Sequence, residues 1–133
     1  ATAFDNDWDV VKPVKPTGIA KSLNIGNPAD GPYALDAIRR TGGAVGRVGD
    51  DEIVQGIRDL ARTTGVFAET AGGVTVAVLR QLVGDGRLDP ALETVVLNTG
   101  EGLKTLDPLA PVVGFTHRVE PSLRSVRAAG LIA

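Results

Sequence analysis

The residues best placed by type and spacing to meet a ligand are Asn98-Thr99-Gly100, followed one residue later by Gly102. Thr99 offers a hydroxyl that can donate or accept a hydrogen bond. Gly100 and Gly102 would let the backbone approach a bound group closely. Glu69-Thr70-Ala71-Gly72-Gly73 places a carboxylate and a hydroxyl beside small residues at the start of a candidate helix. Capping that helix is the commoner role for such residues, and a carboxylate facing a ligand is the functional one. Lys21-Ser22 and Asn24, ahead of Gly26-Asn27-Pro28, form either a ligand-facing loop or a surface turn.

Other chemistry is excluded by spacing or by count. Glu101-Gly102-Leu103-Lys104-Thr105 is not a phosphate-binding P-loop, because no glycine adjoins the lysine and none stands at the required distance before it. His117 is the one histidine, so a multi-histidine metal site is impossible. No cysteine is present, which excludes disulfides and thiolate chemistry and fits a cytoplasmic protein. A net charge of -2 speaks against nucleic acid or an acidic membrane surface as the main partner. No apolar run approaches the roughly 20 residues of a membrane-spanning helix.

The elements that must position these residues follow from hydrophobic period and punctuation. Residues 1–16, with prolines at Pro13 and Pro16, read as an extended connector. Asp30 is a candidate cap for a helix over Pro32–Arg40 that stops at Gly42-Gly43. Asp50 is expected to cap a helix over Asp51–Thr63, where Ile53, Ile57, Leu60 and Ala61 share one face. A largely buried helix is expected over Val74–Val83 and a last short one from Pro121-Ser122 to Ala129. Ala44–Val48, Val66–Ala68 and Thr94–Leu97 read as short strands, the last covered on both faces. Alternation of this kind predicts an α/β fold, a three-layer parallel or mixed sheet flanked by helices. Within it, the loop after Leu97 would lie at the carboxyl end of a strand, where open sheets bind ligands. By pattern alone, an ordinary strand followed by an ordinary loop remains the commoner reading. Residues 17–106 would form the α/β segment and 107–133 a tail with a short helix.

Four segments carry a resemblance. They are Ile19 to Leu35, with Ser22-Leu23-Asn24-Ile25-Gly26-Asn27-Pro28 at its centre, then Gly49-Asp50-Asp51-Glu52-Ile53, Glu69 to Ala77, and Val95 to Lys104. In that order they resemble the C-terminal part of the threonine synthase family, pyridoxal-phosphate enzymes of fold type II (tryptophan synthase β-like). The resemblance implies that this chain is part of the large domain of such an enzyme. It implies that Thr99 lies against the pyridine nitrogen of pyridoxal 5'-phosphate, with Gly100 beside it, and that Ser22 borders the cofactor ring. It implies that Glu69 lies near the active site. A neutral hydroxyl at the pyridine nitrogen leaves it less firmly protonated than a carboxylate would. The implied reaction converts O-phosphohomoserine and water to threonine and phosphate in a homodimeric enzyme.

The sequence departs from the family's pattern in two places. Glu101 stands where asparagine or histidine is common, and its charge should point outward, away from a phosphate. Glu69-Thr70 replaces the Glu-Pro of many relatives. The cofactor-attaching lysine belongs to the family's N-terminal part, and none of Lys12, Lys15, Lys21 or Lys104 stands in its context. The chain begins with Ala1 and reads as the last third or so of an enzyme, inactive alone and assembled with the missing N-terminal part. A serine or threonine dehydratase-like lyase is the alternative within the same fold. A non-catalytic fragment acting only in binding or assembly is the alternative outside it.

Overall fold

The computed structural model describes all of residues 1–133. Its regular elements are α1 (Thr2–Asp5), a 3-10 turn at Lys21–Leu23, α2 (Gly31–Arg40), α3 (Asp50–Thr64), α4 (Thr70–Gly84), a 3-10 turn at Gly102–Lys104 and α5 (Leu123–Ala128).

α3 forms where charge and period agree. Asp50, Asp51 and Glu52 occupy its first turn and Arg62 its last, complementing the helix dipole. The cap is Gly49 rather than the expected Asp50. The Glu52 carboxylate reaches back to accept the Gly49 N–H at 2.7 Å. The Asp50 carboxylate instead accepts the N–H of Ile19 at 3.2 Å, tying the segment before the first 3-10 turn to α3. Gly65, with φ of 76°, ends the helix in the left-handed conformation, its N–H on the Ala61 carbonyl.

α4 starts at Thr70, four residues before the expected Val74. Two glycines in its first turns oppose helix by about 1 kcal/mol each, so the extension rests on packing. A Cβ on Gly56 of α3 would lie 2.5 Å from the Gly73 carbonyl oxygen. One on Gly73 would lie 2.6 Å from the Ile53 carbonyl oxygen. The two helices therefore cross backbone to backbone, an approach that only glycine permits. Around this crossing, Ala20, Ile53, Ile57 and Leu109 form the buried cluster, with Ile19, Val48, Val54, Phe67 and Val74 packed on it.

Only 16 of 133 residues are buried, so stability is concentrated at the α3–α4 crossing. The first residues are tied down by polar contacts instead. Arg39 of α2 donates to the Trp8 carbonyl at 2.9 Å and pairs with Asp7 and Asp9. The Lys12 ammonium sits 3.7 Å from the centre of the Trp8 ring. At the other end, the Ser122 hydroxyl caps α5 by accepting the Ser125 N–H at 3.2 Å. No helix is long and apolar enough to cross a membrane.

The expected three-layer sheet is not formed. The single extended pairing is an isolated antiparallel bridge between Ala68 and Glu101. β-branched runs carry a side-chain preference for extended backbone, but a strand is stable only with a neighbour to receive its hydrogen bonds. Ala44–Val48 finds side chains rather than a neighbour. The Arg47 N–H donates to the Gln81 side-chain oxygen at 3.2 Å, and the Val45 carbonyl accepts from the Arg87 guanidinium at 2.9 Å. Thr94–Leu97, expected to be covered on both faces, is open to solvent. Val95 is 82% exposed and Leu97 71%.

Candidate functional site

The bridge between Ala68 and Glu101 brings two distant segments together at the start of α4. The Glu69 N–H donates to the Gly100 carbonyl at 3.0 Å, and the Gly102 N–H donates to the Phe67 carbonyl at 2.9 Å. The Thr70 N–H donates to the Thr105 hydroxyl at 3.3 Å. These bonds lay the Asn98–Gly102 loop across the N-terminal end of α4.

Glycine is required in that loop by contact. A Cβ on Gly100 would collide with the Glu69 carboxylate, and one on Gly102 would lie 2.5 Å from the Phe67 ring. On the α4 side, a Cβ on Gly72 would collide with the Asn98 side-chain oxygen. The small-residue run Ala71-Gly72-Gly73 is thus occupied by protein, with Gly72 against Asn98 and Gly73 against α3.

Of the four residues singled out in the sequence, Glu69 and Gly100 are in direct contact. Glu69 is buried, at 5% exposure, and carries no hydrogen bond to the helix amides it precedes. It stands at the N-cap position, but its side chain does not cap. Its carboxylate lies 3.8 Å from the Lys104 ammonium. Thr99 is exposed next to Gly100. Ser22 is exposed on the 3-10 turn that packs against α4. The Asn24 side chain braces that turn from behind, donating to the Gly18 carbonyl at 2.6 Å. Glu101 is exposed and its carboxylate accepts the Leu103 N–H at 3.0 Å, consistent with an outward charge.

The contacts of Lys104 with Glu69, Asn98 with Gly72 and Thr105 with Thr70 escaped sequence reasoning. Each joins residues about thirty positions apart, and no local spacing reports such a contact. A cavity of about 240 Å³ opens beside them, lined by Ile19, Lys21, Leu103 and Lys104 among others.

The Thr70 hydroxyl is fully buried without a hydrogen-bond partner. An orphaned buried hydroxyl costs about 1–3 kcal/mol. Thr70→Val, equal in shape, is therefore expected to raise stability by about 1 kcal/mol in urea titration. A loss of that size would show that the hydroxyl has a partner in solution.

The arrangement offers the exposed Thr99 hydroxyl on a loop whose glycines pack against Glu69 and Phe67, held over the N-terminal end of α4. The family model described as "Pyridoxal-phosphate dependent enzyme" matches residues 1–100. The threonine synthase of Methanocaldococcus jannaschii is 40% identical over 99 residues, covering 74% of this chain and 24% of that protein. That of Halalkalibacterium halodurans is 38% identical over 108 residues, covering 81% and 30%. That of Methanosarcina acetivorans is 35% identical over 114 residues, covering 86% and 28%. The chain thus spans 24–30% of the length of these relatives. A match over most of its residues, together with relatives of this similarity, means that the chain belongs to the pyridoxal-phosphate dependent enzymes.

Proposed function

We propose that the chain is a C-terminal portion of a threonine synthase that converts O-phosphohomoserine and water to threonine and phosphate. The observation that carries this reading is the Glu69–Gly100 contact. It holds an exposed threonine and two glycines over the N-terminal end of α4, in a chain similar to threonine synthases. Pyridoxal phosphate, when bound, supplies the electron sink for the reaction. Thr99 would hold the pyridine nitrogen through its hydroxyl. Gly100 would stand beside Thr99 at the cofactor, its lack of a Cβ leaving room for the Glu69 carboxylate behind the loop. Ser22 would border the ring, and Glu69 would stand behind the loop. Residues 17–106 would carry this catalytic-domain segment, with 1–16 as the connector and 107–133 as the tail. The working enzyme would be a cytoplasmic homodimer acting on a small molecule. The lysine that attaches the cofactor would come from sequence outside this chain, which alone would not turn over.

The test is made on the intact polypeptide that contains these residues. Phosphate and threonine should appear in equal amounts from O-phosphohomoserine. A 2-oxo acid formed from serine or threonine instead would identify a dehydratase, and neither product would leave a binding or assembly role. Thr99→Val should lower kcat about tenfold, the worth of one hydrogen bond to a charged or polarised group, and shift the visible absorbance of the bound cofactor. An unchanged spectrum would remove Thr99 from the pyridine nitrogen.

A further inference from the structure

We propose that Glu69 and Lys104 form a latch that fixes the Asn98–Gly102 loop to α4, making both positioning residues for the cofactor face of that loop. The inference rests on the function proposed above. The Glu69 side chain is 6% exposed, whereas that of Lys104 is 64% exposed. A carboxylate removed from water needs a counter-charge or hydrogen bonds. No amide of α4 caps Glu69. The one cation within ion-pair distance is Lys104, at 3.8 Å. Lys104 ends the 3-10 turn that follows the loop, and Glu69 precedes α4. Their attraction therefore closes the loop from its far side.

The carboxylate also fills the space that a Cβ on Gly100 would take, so it sets the height of the loop above the helix. The backbone bonds from Glu69 to Gly100 and from Gly102 to Phe67 lie inside the closure and are protected while it holds. The solvated half of the pair weakens it, so opening should shift by about one order of magnitude rather than several.

Amide hydrogen exchange in the intact, cofactor-free polypeptide reads the latch directly. Lys104→Met should quicken exchange at the Gly102 amide about tenfold and leave the Ile57 amide of α3 unchanged. Lys104→Arg, which keeps the charge, should restore the original rate. Cofactor added to the Lys104→Met polypeptide should bind about tenfold more weakly. Exchange at Gly102 equal to the unaltered protein would overturn the latch, and quickening at Ile57 as well would show general loosening instead. Quickened exchange at Gly102 with unaltered cofactor affinity would keep the latch and reject the cofactor role of the loop.

Discussion

Ile57→Ala is expected to cost about 3 kcal/mol of stability. Ile57 is 1% exposed and belongs to the cluster of Ala20, Ile53 and Leu109. Truncation leaves a cavity whose cost depends on how far the surroundings can relax. Here they cannot close in, because the α3 and α4 backbones already touch at Gly56 and Gly73. Urea titration followed by helical circular dichroism measures the change. With so few residues buried, such a loss is a large fraction of the 5–15 kcal/mol typical of a domain. Leu123→Ala, at a position 69% exposed, serves as the control and should change stability by less than about 0.5 kcal/mol. A loss below about 1 kcal/mol for Ile57→Ala would place the centre of the core elsewhere.

Gly100→Val should abolish most cofactor binding while leaving the helices intact. Its Cβ would collide with the Glu69 side chain, whose carboxylate is held in place by burial. Relief requires the loop to lift, which breaks the bond from the Glu69 N–H to the Gly100 carbonyl. Overpacking of this kind costs about 1–3 kcal/mol, so cofactor affinity in the intact polypeptide should fall by up to about a hundredfold. Helical circular dichroism should not change, since the loop lies outside the α3–α4 crossing. Gly114→Val, where a Cβ meets nothing within 4 Å, should bind cofactor normally. Normal affinity in Gly100→Val would separate the loop from the cofactor.

α2, α3 and α5 were legible because hydrophobic period and stop signals agreed, whereas α1 formed inside residues 1–16, expected to be an extended connector. Asp51 to Thr63 carried acidic residues first, an apolar face next and glycine last, and α3 formed there. α4 was underestimated at its start because Thr70-Ala71-Gly72-Gly73 has poor helix propensity, and only contact with α3 makes it helical. The strands were misread for a related reason. Val95, Val96 and Leu97 suit extended backbone, but side-chain preference does not create a neighbouring strand, and the run stands in solvent. At the site, residue type singled out Thr99 and Gly100 and, beside a capping or turn alternative, Glu69 and Ser22, and the resemblance gave each a place near the cofactor. The contact of Glu69 with Gly100, and the part of Lys104 in it, depend on pairing between segments far apart in the chain. Neither 3.6-residue nor two-residue periodicity reports on that.

The short connection Gly65–Glu69 between α3 and α4 bears on the order in which the chain folds. Contacts across it close small loops, which cost little entropy and form quickly. Leu109 and Gly100 must instead travel back over tens of residues to reach Ile57 and Glu69. The helical pair should therefore appear first, as soon as Gly84 has left the ribosome, with its apolar face open until the later segments arrive. Truncating Ile57 should then slow folding, whereas altering Gly100 should leave the folding rate alone and speed only the loop's release.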